Sequence, residues 1–259
     1  LGMWLASHWN WHIPFMMIVA VAAPVGVMIA LRMQPISGHL ATSRDRQAFR
    51  RMAKILLKKH HIEAFAATAL LATGGFMLMP FASTFSEHNL GLTRDQISLV
   101  YLVTGIASVF AGIIAGYLSD RIGKYAMFVV GSIIAIVVVL LYTNMGLSPM
   151  WMVMVVSAVL FVGISARMVS AQALTSAVPE PQDRGSFMAL NSSVQQYSGA
   201  IASIIAGLIV AQSGNGKLEH YEELGYVVAV AMVVTALLMY RLHARFTRAS
   251  EKQVSEAPE

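Results

Sequence analysis

The sequence predicts an all-α protein that crosses a membrane several times. Three observations lead there. Hydrophobic residues make up 57% of the 259 residues and charged residues only 12%, against about 25% charged in a soluble domain. The charges are also unevenly placed: the 20 residues from Gln96 to Ala115 and the 42 from Tyr125 to Ala166 carry none. An uncharged apolar run of about 18 residues or more reads as a transmembrane helix. Finally, the runs are continuous rather than alternating, and lipid demands that backbone groups be satisfied within the segment, so strands are disfavoured.

Seven spans follow in order. Span 1, about Ile13–Leu31, sits behind the stretch HWNWH, whose Trp9 and Trp11 fit an aromatic belt at headgroup level. Span 2, about Ile62–Phe85, starts after a basic stretch, and its TGGF at 73–76 and Pro80 are places where the helix breaks to line a cavity, or simply kinks. Span 3 covers about Gln96–Leu118 and span 4 about Tyr125–Asn144. The uncharged run after Tyr125 is too long for one crossing, and NMGLSP at 144–149 has the turn chemistry to divide it. Span 5 is then about Met150–Val178, span 6 about Gly185–Gln212 and span 7 about Leu224–Leu242.

Charge orients these spans. Fifteen of the 18 Lys and Arg residues fall in 32–60, 119–124, 179–184 and the tail from 241; two, Arg94 and Lys217, fall in the opposite loops, and Arg167 lies inside a span. Basic residues collect on the cytoplasmic side, which places the C-terminus inside. The same bias accounts for the net charge of +5 without a nucleic-acid partner. Within 34–60, the pattern RQAFRRMAKILLKK fits a helix on the anionic inner leaflet, with Phe49, Ile55 and Leu56 toward lipid, or an ordinary basic linker. The tail 244–259 is polar and expected to be disordered. Cys is absent, which removes disulfides and thiolate chemistry. The chain opens at Leu1 on LGMWLA, which reads as the tail of an interrupted helix, so an N-terminal portion is expected to be missing.

One charged stretch interrupts the oily centre. GYLSDRIGK at 116–124 forms a cytoplasmic turn between spans 3 and 4. Gly116 would let a neighbouring helix approach closely, and Gly123 would permit a sharp turn. Asp120 and Arg121 stay at the membrane face, with Lys124 after them. A carboxylate there, beside a helix N-terminus, gains up to about 1–2 kcal/mol, enough to latch two helices.

These residues resemble the signature loop of the major facilitator superfamily, G-x-L-x-D-R-x-G followed by two basic residues. The chain matches at Gly116, Leu118, Asp120, Arg121, Gly123 and Lys124, and departs at Tyr125. Pro179, Arg184 and Gly185 resemble the family's loop between spans ten and eleven, and WNWHIPF at 9–15 resembles the entry to its sixth span. On this registration the seven spans correspond to family spans six to twelve. The resemblance implies that 1–33 is the last span of an N-terminal half, 34–60 the basic central loop and 61–243 the C-terminal six-helix bundle. By the same analogy Asp120 would meet a helix of the first half.

Polar groups inside a span cost free energy and are functional candidates. Arg167 lies about 26 Å along span 5 from Met150 and about 18 Å from Pro179. An arginine near a helix centre costs roughly 2.5–3.5 kcal/mol, so it either faces a cavity or partner, binding an anionic group or forming a proton-linked pair, or snorkels to the inner interface. In span 6, Asn191, Gln195 and Ser198 share a helical face, with Ser192 and Gln196 beside them and Tyr197 assignable either way. That stripe would line a solute path or act as interhelical glue; the following GAIASIIAG reads as a packing face. Glu63, His60 and His61 read as a solvated helix start rather than a metal site.

The resemblance implies a secondary active transporter for a small organic solute, working by alternating access, with proton-coupled efflux first and sugar or organic-acid uptake second. It would sit in a bacterial cytoplasmic membrane, with lipid, its solute and the missing half as partners and no cofactor. A membrane-embedded enzyme would need clustered catalytic groups, and neither H-E-x-x-H, G-x-S-x-G nor paired intramembrane carboxylates occur. A fragment that does not transport alone is the remaining reading.

Overall fold

The computed structural model describes Leu5, residues 9–33 and residues 48–255. The expectations for most of LGMWLA, for 34–47 and for the last four residues lie outside the described residues. The chain divides into two compact units, Leu1–Arg51 and Met52–Glu259.

In the first unit, α1 runs from Ile13 to Arg32 and buries none of its residues. Pro14 sits in its first turn, where a missing N–H costs nothing. Helix α2, Ala48–Leu57, begins here, and its part from Met52 belongs to the second unit.

The second unit is built from five further long helices: α3 (Lys59–Phe76), α5 (Arg94–Ile122), α6 (Lys124–Thr143), α7 (Met150–Thr175) and α8 (Arg184–Ile209), followed by α9 (Tyr221–Ser255). Between α3 and α5 come the single turn α4 (Ala82–Thr84) and a π-helical turn, Phe85–Asn89. The break after Phe76 falls at TGGF, and the expected single span 62–85 is therefore a helix, a turn containing Pro80 and a second short coil. Helix α5 starts with a reciprocal cap: Gln96 N donates to Thr93 Oγ1, and Thr93 N donates to Gln96 Oε1 at 2.9 Å.

Five helices are long and apolar enough to cross a membrane among the described residues: α1, α5, α6, α7 and the portion Tyr221–Arg245 of α9. The sequence led to about seven. The two that fall short, α3 and α8, carry several polar or charged side chains, His61 and Glu63 in one and Asn191, Gln195 and Gln196 in the other.

Helix α7 packs on both α5 and α6, while α9 packs on α3 and α6, and α3 packs on α8. Two apolar clusters fill the interior. One gathers Phe85, Val139, Tyr142, Leu160, Tyr221 and Met232. The other gathers Phe65, Phe128, Leu174, Phe187 and Met239 near the basic end, and it includes Ile55. Ile55 is thus buried in the bundle rather than turned toward a leaflet, although Leu57 is exposed. Two further expectations are corrected. The helix α9 continues to Ser255, through most of the tail expected to be disordered. A two-residue ribbon also forms, β1 (Ala211–Gln212) antiparallel to β2 (Leu218–Glu219), because the polar loop between α8 and α9 lies beyond the apolar runs and can pair its own backbone.

Candidate solute cavity

The site grows from a close helix contact. Gly131 on α6 and Gly163 on α7 face each other so tightly that a methyl group at Gly131 would stand 2.9 Å from Ala166 Cβ and 3.0 Å from Gly163 O. Small residues let backbones approach in this way. Arg167 and Ser132 follow one position from this contact region on their helices, and Arg167 Nε donates to Ser132 Oγ at 3.1 Å. Ser132 Oγ in turn donates to Phe128 O at 2.7 Å. The guanidinium carbon stands 5.5 Å from the Phe128 ring centroid, a cation–π arrangement. Across the bundle, Gly74 of α3 leaves room for Arg167 Nη1; a methyl group there would stand 3.6 Å from it.

Arg167 is 3% exposed, so it does not snorkel. Its Nη2 is buried without a hydrogen-bond partner among the described residues. The same residue lines a cavity of about 450 Å³, within the usual range for small-molecule sites. The wall is largely apolar, with Phe76, Leu160, Phe161 and Met232 among its residues, and the polar side chains on it include Thr104, Ser157 and Gln195. No Asp, Glu, Lys or His among the described residues lines it.

Aromatic rings lie at the other end of the cavity. Phe85 stacks on Tyr221 at 4.1 Å and meets Tyr142 at 5.4 Å, and Ser86 Oγ lies 3.3 Å from Tyr142 Oη. Asn89 holds the incoming chain in place: its Nδ2 donates to Leu218 O at 2.8 Å, and Leu218 N donates to its Oδ1 at 2.9 Å. Tyr221 follows directly and lines the cavity, its buried hydroxyl unpartnered among the described residues.

Of the residues singled out on α8, the structure brings only Gln195 to the cavity. Asn191 is buried elsewhere and accepts from Thr68 Oγ1 at 2.8 Å, as interhelical glue. Gln196 is exposed and Tyr197 is 73% exposed. The expected packing face beyond them is present: Gly199 abuts the Phe76 ring, and Ser203 Oγ donates to Phe76 O at 3.0 Å.

The turn at 116–124 is as tight as its residues suggest. Gly123 is the only residue between α5 and α6, and its φ of 98° is one that side chains disfavour. Gly116, however, is not a contact point: no atom lies within 4 Å of where its Cβ would be. The close approach expected there occurs instead at Gly131 and Gly163. Asp120 and Lys124 are exposed and make no hydrogen bond or ion pair among the described residues, so the local partners expected for Asp120 are not engaged. Arg121 lies over the Tyr117 ring at 4.3 Å.

The basic end is instead joined by ion pairs. Lys58 meets Asp183 at 3.2 Å and Glu180 at 3.6 Å, and Arg245 meets Glu63 at 2.6 Å. The hydrogen bond from Gln182 and the charge of Lys58 hold the Glu180 carboxyl below its ordinary range. At the opposite end the bond to Glu223 raises the His220 imidazole. His61 is buried rather than solvated, and its Nδ1 donates to Ile55 O at 2.8 Å. Among the described residues no group of three His, Cys, Asp or Glu is placed to hold a metal.

Ser132, Gly131 and Gly163 were missed as site residues. The signal was present as small residues spaced by turns, Gly131 with Ala135 and Gly163 with Ala166, but such spacing recurs along the chain and does not say which helices meet.

The family model for the Major Facilitator Superfamily matches residues 64–258. A citrate-proton symporter of Klebsiella pneumoniae is 26% identical over 132 residues, which cover 50% of this chain and 29% of the symporter. A lincomycin resistance protein of Listeria monocytogenes is 26% identical over 189 residues, 70% of this chain and 40% of that protein. A proline/betaine transporter of Salmonella typhimurium is 26% identical over 140 residues, 48% of this chain and 27% of the transporter. The chain spans less than half the length of these relatives.

Proposed function

The chain belongs to the major facilitator superfamily, and on that premise we propose that the protein moves a small organic solute across a membrane by alternating access, as a proton-coupled exporter. The observation that carries this reading is the cavity of about 450 Å³ among α3, α5 and α7, apolar except for a few hydroxyls, an amide and one buried cation. Apolar walls with a few placed polar groups suit a small solute. They do not suit a membrane-embedded enzyme, which would need catalytic groups at one depth.

In this reading residues 61–243 form the C-terminal bundle, residues 1–33 end an N-terminal half, and residues 34–60 join the two on the cytoplasmic side of a bacterial inner membrane. The first half of the same transporter would complete the solute path and supply the helix that Asp120 latches. The exposed, unengaged state of Asp120 and Lys124 supports that latch. Arg167 and Gln195 are the solute-facing residues.

A second reading, uptake by symport, is favoured by the names of two relatives, a citrate-proton symporter and a proline/betaine transporter. Reconstitution of the intact protein into vesicles decides between them. An imposed proton gradient, acidic outside the cell-equivalent face, should drive a solute outward through an exporter and inward through a symporter. Absence of counterflow for every solute class would overturn transport itself.

A further inference from the structure

The cavity holds one formal charge, and nothing on its wall answers it. Among the described residues Arg167 is the only charged one lining it, and none of them brings a carboxylate to it. The guanidinium is held at Nε by Ser132 Oγ, with the Phe128 ring at 5.5 Å on the same helix as Ser132 and Gly74 of α3 leaving room for Nη1. Its remaining arm, Nη2, is buried and unpartnered among the described residues. A buried charge without a partner is costly, and a hydrogen bond to a charged group is stronger than one between neutral groups. Two hydroxyls of the lining residues are already engaged by backbone: Thr104 Oγ1 donates to Val100 O, and Ser86 Oγ donates to Ala82 O.

We infer that the cavity binds an organic monocarboxylate with an apolar or aromatic body, its carboxylate at the Arg167 guanidinium and its body between Phe76, Phe161 and Leu160. The inference rests on the transport reading and deepens it by naming the solute class. A cationic solute would face uncompensated repulsion in this cavity. A neutral one would leave the guanidinium unanswered. The largely apolar wall argues against a small, highly hydrated anion, because it offers few donors to replace the lost water.

The test is calorimetric titration of the purified intact protein in nanodiscs with 4-phenylbutyrate, 4-phenylbutyramide and 4-phenylbutylamine, which share a body and differ in charge. The carboxylate should bind at least tenfold more tightly than the amide, and the amine weakest. In Arg167→Gln the preference for carboxylate over amide should fall to within about twofold, and in Arg167→Lys part of it should remain. If Arg167→Gln does not fold, the wild-type series and Arg167→Lys carry the test. Equal binding of carboxylate and amide by the wild type overturns the inference, as it would if a carboxylate from elsewhere in the protein neutralised Arg167. A preference that survives Arg167→Gln overturns it too, and so does failure of all three probes to bind. Counterflow of labelled 4-phenylbutyrate separates the two readings. Binding without counterflow keeps the site and removes the transport reading. Counterflow of the amine or amide with no carboxylate preference keeps transport and removes the anion site.

Discussion

Two charged places in this chain behave in opposite ways. The turn at 116–124 carries the most recognisable sequence pattern, yet Asp120 and Lys124 are exposed and Gly116 touches nothing within reach of a Cβ. The contact of α6 with α7 carries only a small-residue spacing that recurs along the chain, yet Gly131 and Gly163 meet backbone to backbone and Arg167 is held by Ser132 beside them. The difference teaches what each kind of signal reports. Among the described residues Asp120 and Lys124 of that turn engage no partner, and the latch proposed for them would need one outside the second unit. The glycine contact reports a relation inside the unit, and the site is built on it.

The comparison breaks most severely at Gly131. Gly131→Val would drive side-chain carbon into Ala166 and the backbone of Gly163, at starting distances of 2.9–3.0 Å. Overpacking of this kind costs about 1–3 kcal/mol, and here backbone must move, so the upper end is expected. A fall in the melting temperature of the purified protein, together with loss of solute binding, would report it; unchanged melting would mean that α6 and α7 are not held by this contact.

At Arg167 the effect should be on function rather than folding. Arg167→Ala removes a buried charge whose Nη2 is unpartnered, so membrane expression should persist while transport falls by about tenfold or more, the effect of losing one charge-assisted bond. Transport at the wild-type rate would remove Arg167 from the solute path.

A smaller effect is expected at the turn. Asp120→Asn keeps shape and removes charge, and the shift between outward-open and inward-open populations should not exceed the ~1–2 kcal/mol of a charge–dipole contact. Since the chain has no Cys, single cysteines introduced on the two faces would report the shift by their labelling. Identical labelling with and without the substitution would leave Asp120 as a topogenic charge only.

The smallest effect sharpens the comparison most cleanly. Gly116→Ala meets open space, and alanine is favoured over glycine in a helix interior by about 1 kcal/mol. Thermal stability of the second unit should therefore hold or rise slightly. A large loss of stability would show that Gly116 is a contact point after all.

The helices were largely readable in the sequence because hydrocarbon imposes a length and a composition on each crossing. Span 4, expected at Tyr125–Asn144, is the helix Lys124–Thr143, and NMGLSP does divide it from α7. Gly123 was readable because a one-residue turn demands a positive φ. The α8 stripe was only partly readable. Asn191, Gln195 and Gln196 share a region of helix, but which faces the cavity depends on where α3 and α7 stand, and only Gln195 reaches it. Arg167 could be marked as costly but not placed, since its seat is made by Ser132, Phe128 and Gly74 from two other helices. Ile55 and His61 were misjudged for a related reason. Their neighbours in sequence are basic and solvated, while the contacts that bury them, such as the His61 ring against Phe187, come from far along the chain.

The central claim is that the cavity beside Arg167 is a solute path open to alternate sides of a membrane. Single cysteines in the intact protein test it most directly, one at Gln195 on the cavity wall and one at exposed Tyr197, two positions further along α8. A membrane-impermeant maleimide should label Gln195→Cys from either side, with a transported solute slowing that reaction and leaving Tyr197→Cys unchanged. A cysteine at 195 that reacts from neither side, or whose labelling no solute alters in an actively transporting protein, would contradict the account.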